Sequence, residues 1–343
     1  MTHRIGPVPV LWALGTVAAA LVGGCQGPPK APPAPELRVE AMEVLRQGCN
    51  DPAALLRSHA IEALGEVAGL QAVPLLQQGL ADRDYRVRYA ACVALGSLRH
   101  AGSRSLLQER LRDSQEDLST RLAAVFALHR LGDTRHTSTL AEALLHSRNP
   151  TAQRNAAFLL GRLGEPGSIK LLERQMRSED PALKLQVLEA MALLGSRRAA
   201  QELIQYTNSK AADSKLFALM ALAGLNDERC YEAFRYRLND TSEYLEARLQ
   251  AARGLARIGL ADGYELAIDS LSFDEPDPGD RYQRSRVRGL ACMVLGDLGS
   301  PRALDPLYGA MRGDDAVVRI AAARAILKIL NRQAGLGGPR RRG

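Results

Sequence analysis

The side chains best able to do chemistry in this chain are four cysteines, a scatter of histidines and one acidic run, and their spacing argues against most of it. Cys49, Cys92, Cys230 and Cys292 contain no pair at metal-ligand spacing. His59, His100, His129, His136 and His146 are dispersed, and no His-Glu pair occurs anywhere. A Gly-x-Ser-x-Gly elbow and a Walker loop are both missing. Gly161, Gly164 and Gly167 imitate a dinucleotide fingerprint, but no strand precedes them and they read as turn residues. Asp274, Glu275, Asp277 and Asp280 are acceptable Ca²⁺ ligands by type. Their spacing is not that of an EF-hand loop, so the weight falls on a solvated loop paired with Arg281 and Arg284. The expectation is no catalytic residue, no cofactor and no metal.

What must position any site is a repeat. A marker position, the second of four apolar residues at offsets 0, +3, +4 and +7, recurs at Ala63, Ala94, Ala127, Leu159, Ala190, Ala221, Gly254, Val294 and Ile326. Ala60-Ala63-Leu64-Val67 is one full copy and Ala124-Ala127-Leu128-Leu131 another. Those offsets place the four side chains on one helical face. The markers lie 31, 33, 32, 31, 31, 33, 40 and 32 residues apart, a period that means one supersecondary unit copied in series. Twelve residues before the markers stand Asp51, Asp82, Gln115, Ser147, Ser178, Ser209, Ser242, Tyr282 and Asp314, mostly types that cap helix starts. This predicts a helix of about 16 residues beginning there. Five after the marker, Gly132, Gly164, Gly195, Asn226, Gly259, Gly299 and Asn331 suit a left-handed helix end. A shorter apolar run, such as Ile169-Leu171-Leu172-Met176, completes each period with a second helix. The first short helix is placed at Leu37 to Gln47, closed by Gly48. The single long step is located at residues 272–280, between the two helices of repeat eight.

The pattern Asp51…Arg57…Ala63-Leu64-Gly65, repeated as Asp82…Arg88…Ala94-Leu95-Gly96, resembles HEAT repeats, especially the short bacterial type of the phycobilin lyases. The resemblance implies an all-α fold, a right-handed α-solenoid of about nine helix pairs over residues 36–331. It also implies ladders in which the acid and the basic residue six later join neighbouring repeats. The basic column, Arg57, Arg88, Arg121, Lys184, Lys215, Arg248 and Arg288, is nearly full. The acid column is mostly Ser, so the middle of the ladder should be incomplete. Iron-dependent hydroxylases built from similar repeats use His-Glu ligand pairs, and this chain has none.

The N-terminus is a separate object. Arg4 precedes an apolar stretch from Val8 to Val22, then Leu21-Val22-Gly23-Gly24-Cys25. This resembles a bacterial lipobox, which implies a signal peptide over 1–24 and a lipid on Cys25. Residues 25–35 then read as lipidated cysteine and Pro-rich tether, and 332–343 as a disordered basic tail with Arg340, Arg341 and Arg342. In lipoproteins of Gram-negative cells, Gln26 after the cysteine implies the periplasmic face of the outer membrane. The formal net charge is +7, but export argues against nucleic acid as the partner.

The expected function is a lipid-anchored, non-catalytic scaffold in the bacterial cell envelope that binds a protein or peptide. The alternative is a lyase-type enzyme or subunit acting on a bound small molecule. Positions one and five before the marker point away from the partner helix and carry Tyr89, Val93, Leu122, Phe126, Phe158, Leu185, Leu216 and Met220. An apolar stripe there predicts a partner-binding groove centred on Phe126 and Phe158. Glu62 and Arg253 would interrupt it at each end.

Overall fold

A computed structural model describes residues 29–280 and 282–336. These form 18 α-helices and no strand, arranged as nine helix–turn–helix pairs. The pairs are α1 (Ala34–Gly48) with α2 (Ala54–Val67), α3 (Val73–Gly79) with α4 (Tyr85–Ser97), and α5 (Arg104–Arg112) with α6 (Leu118–Arg130). Then come α7 (Ser138–His146) with α8 (Pro150–Leu163), α9 (Ile169–Gln175) with α10 (Pro181–Leu193), and α11 (Arg197–Tyr206) with α12 (Ala212–Leu225). The last are α13 (Tyr231–Asn239) with α14 (Leu245–Arg257), α15 (Tyr264–Ser270) with α16 (Gln283–Leu298), and α17 (Leu304–Met311) with α18 (Ala316–Gln333). The fold is an all-α solenoid. The stretch expected to be a signal peptide, Cys25, Arg281 and the tail arginines lie outside the described residues. Among the described residues no helix is long and apolar enough to cross a membrane.

In the first seven pairs the second helix starts two residues later than the cap pattern predicts, in the ninth one residue later, and α16 starts after Tyr282 as predicted. Asp84, Asp117, Asn149, Asp180 and Asp315 are the side chains that cap these helices. The earlier column does different work. Asp51 accepts the Ala53 N–H and Asp82 the Asp84 N–H, both at 2.8 Å, while Ser147, Ser178 and Ser209 do the same for Asn149, Asp180 and Ala211. They shape the turn before the cap. Left-handed ends occur as expected at Gly132, Gly164, Gly195, Asn226, Gly259 and Gly299. Asn331 does not end its helix, because α18 continues to Gln333 and Gly335 takes the positive φ. The first helix is also longer than expected, Ala34–Gly48.

The ladder is incomplete in the middle, as expected, since among the described residues neither Arg121 nor Lys184 forms an ion pair, but Arg154 outside the column adds a rung and Lys215 has one despite Ser242. Arg57 grips Asp82 of the next repeat with two bonds of 2.8 Å. Arg88 does so with Glu116, Arg154 with Asp180, and Lys215 with Glu243. Asp82 stands in the column itself, whereas Glu116, Asp180 and Glu243 sit one or two residues past it, which is why a fixed offset overlooks them. Arg121 alone of the column keeps its Nε buried and unpartnered.

One contiguous core of Ala, Leu and Val runs through all nine pairs. The even-numbered helices form the inner layer, each packed on the next. Small residues let them approach. A Cβ on Gly65 would lie 2.7 Å from Ala94 Cβ, and one on Gly161 would lie 2.7 Å from Ala190 Cα. Gly96 and Gly296 meet Ala127 and Ala325 in the same way. Such close approach on the inner side bends the stack, and here the bend closes. The last inner helix, α18, packs on both α1 and α2. Asn331 Nδ2 donates to the Val67 carbonyl at 2.7 Å and Arg38 Nη1 donates to Asn331 Oδ1 at 2.7 Å. Glu66 joins Arg324 and Lys328, and the Ala31 N–H donates to Asp305 Oδ1 at 2.8 Å. The solenoid is therefore a closed ring, an outcome that periodicity alone does not predict.

The eight extra residues lie between α15 and α16, where the sequence places them. Asp274 pairs with Arg284 at 2.9 Å and Arg288 at 3.4 Å, and Asp280 with Arg286 at 2.6 Å. Asp277 accepts the Gly279 N–H. The arginines hold these carboxylates apart, and among the described residues no three His, Cys, Asp or Glu side chains converge as metal ligands. Cys92, Cys230 and Cys292 are buried and Cys49 half-buried, all free. Burial pushes the Cys49 thiol up to about 11 and Cys292 to about 12, so neither is a ready nucleophile.

Candidate functional site

Ring closure turns the concave side into a central cavity of about 530 Å³. Five inner helices from around the ring line it: α2, α4, α8, α14 and α18. Tyr89, Val93 and Phe158 form an apolar wall, and Glu62, Glu66, Arg162, Arg253, Arg257 and Arg324 supply the charge.

Only part of the expected stripe faces this space. Tyr89, Val93 and Phe158 do, half-buried. Leu122, Phe126 and Leu185 are instead core, at 0%, 1% and 4% exposure. The reason is the tight inner packing: a Cβ at Gly96 would lie 2.6 Å from Ala127 Cα and 3.1 Å from Phe126 Cε1. The absent side chain leaves the space that the Phe126 ring fills. Leu216 is half-buried and Met220 exposed on α12, outside the lining. There is no open groove centred on Phe126. Glu62 and Arg253, which seemed to interrupt the stripe, are lining residues of the same cavity. The sequence reading missed Glu66, Arg162 and Arg257. All three stand three residues after the marker, a column that was readable but was not followed.

The charges are distributed unevenly. Asp297 is buried with Arg253 at 2.8 Å and against Lys328. Burial raises its carboxyl, but Lys328 and Arg253 overcome this and hold it at about 2. At Glu62 burial instead dominates and raises the carboxyl despite His59 and Arg324, whereas at Glu66 burial is overcome by Arg324 and Lys328, which hold it below the usual range. Arg257 donates to Asn226 Oδ1 at 3.0 Å, and its pKa falls through burial and through Arg253 and Arg324. Among the described residues Arg162 has no carboxylate within ion-pair distance. It donates to Ser97 Oγ at 3.3 Å and lies 5.6 Å from the Phe158 ring centre.

One contact outside the cavity resembles catalytic machinery. His129 Nδ1 lies 2.8 Å from Thr137 Oγ1, and Nε2 lies 2.9 Å from Glu165. The Thr137 hydroxyl donates its proton to the Thr134 carbonyl. The trio ties the end of α6 to the loops before α7 and after α8.

Residues 42–129 and 137–215 match the family described as HEAT repeats. Among solved structures, the complex of CpcE and CpcF of phycocyanin lyase from Nostoc sp. PCC7120 is similar at 19% identity and a TM-score of 0.44. That match covers 79% of this chain and 97% of the other. Human deoxyhypusine hydroxylase in complex with glycerol is similar at 17% identity and a TM-score of 0.38, covering 78% and 98%. No curated protein matches the chain.

Proposed function

The chain is a HEAT-repeat protein, and from that premise we propose a non-catalytic scaffold that holds a protein or peptide partner and is itself held in the bacterial cell envelope by lipid on Cys25. The observation that carries the reading is the mixed lining of the central cavity: Tyr89, Val93 and Phe158 on α4 and α8, with Arg253, Arg257 and Arg324 on α14 and α18. Such a wall binds an apolar body with a polar end. At about 530 Å³ it accepts a few side chains, so the partner enters as the end of a chain and not as a helix laid in a groove. Gln26 after Cys25 supports outer-membrane sorting in a Gram-negative cell.

A photoreactive residue at Phe158 tests the reading in intact membranes. The expected product is an adduct to one segment of one protein, lost when Arg257→Glu is added. Adducts to small molecules alone would overturn the scaffold. Separately, Cys25→Ser should release the protein from the membrane fraction with the mass change of a lost lipid. An unchanged mass and location would overturn the anchor.

A further inference from the structure

Three guanidinium groups stand at the ends of consecutive inner helices, and Arg162 of α8 reaches Ser97 of α4 across the end of α6. Arg130 ends α6, Arg99 follows α4 and Arg162 lies one residue before the end of α8. Among the described residues none of the three forms an ion pair within 4.0 Å. Arg130 Nε is buried with no hydrogen-bond partner. Burial and the charges of Arg99 and Arg162 push the Arg130 pKa down, so the three fields overlap. The carboxylate that feels Arg162, Glu189, accepts from Gln186 instead. Helix C-termini favour cations, which accounts for one arginine per helix end. It does not account for three helices converging their cations with a donor left empty, because like charges in a partly desolvated site repel.

We propose that Arg99, Arg130 and Arg162 form an oxyanion site at the edge of the central cavity. The ligand class follows from the neighbours. Arg162 bridges the trio to Ser97, Phe158 and the apolar wall, so the anion is carried on an apolar body lying in the cavity. Under the scaffold reading, on which this identification rests, the ligand is an apolar peptide end presenting its terminal carboxylate to the guanidinium groups.

The test uses the purified full chain in detergent and fluorescein-labelled Gly-Ser-Leu-Leu-Phe, with a free or an amidated C-terminus, followed by anisotropy. The free acid should bind at least about tenfold more tightly than the amide, as expected for lost charge-assisted bonds. Inorganic phosphate should compete with it. Arg130→Met keeps the side-chain stem and removes the charge, so it should abolish the difference between acid and amide. It should also leave the ligand-free melting temperature equal or higher, since it relieves repulsion. Equal binding of acid and amide would overturn the oxyanion site and leave the peptide reading standing. Phosphate binding that needs Arg130, with neither peptide bound, would uphold the site and overturn the peptide. A lower ligand-free melting temperature in Arg130→Met would mean that the arginine serves its helix end, and the proposal would fall.

Discussion

Asp297 is the residue on which the cavity's electrostatics turn. It is 2% exposed and shared by Arg253 and Lys328. An unfolded aspartate titrates near 3.9, and this one titrates at about 2 when folded. The stability it contributes is therefore present above about pH 4 and disappears as the pH falls towards 2. Asp297→Asn should lower stability at neutral pH by roughly 3–5 kcal/mol, because it leaves buried Arg253 unpaired. It should also flatten the acid limb of a plot of melting temperature against pH, while an unchanged limb would mean that the pair is not closed in solution. This coupling is invisible in the sequence, where Arg253 and Asp297 stand 44 residues apart with a 40-residue step between their markers. By contrast, the equivalence of Cys92 and Cys292 is legible, because each directly follows the first apolar position of its repeat.

The element scale shows what a linear pattern encodes well and what it does not. Helix number, left-handed ends and the position of the insert follow from local hydrogen-bonding chemistry, so Gly132 or Gly299 can be read directly. Curvature is a relation between neighbouring inner helices, and the apolar stripe was misplaced for that reason. Glycines two after the marker carry the missing information, since each meets the next repeat's backbone or Cβ. Gly161→Ala would put a methyl 2.7 Å from Ala190 Cα. Backbone cannot rotate away as a side-chain tip can, so α8 and α10 must separate. The expected cost is about 1–3 kcal/mol, measured by denaturant unfolding. A neutral or stabilising result would mean that these helices already stand farther apart than the closed ring requires.

At the scale of the whole molecule, closure removes the two exposed ends that open solenoids must cap. The first and last repeats serve each other through Asn331, Glu66 and the seam between α18 and α2. Glu66→Gln with Asn331→Ala should loosen that seam, raise the radius of gyration in small-angle scattering, and speed hydrogen exchange in α1 and α18 before α8. A constant radius with uniform exchange would place the closing energy in apolar packing alone. A ring also imposes an inheritance rule. Open repeat arrays lengthen and shorten readily by duplication or loss of a unit, since any number of steps leaves two ends. Here the last unit must meet the first, and an added or deleted unit would displace α18 from its contacts with α1 and α2. Descendants of this gene can vary the surface of any repeat, and even carry extra residues within one, as at 272–280, but the count of nine is locked.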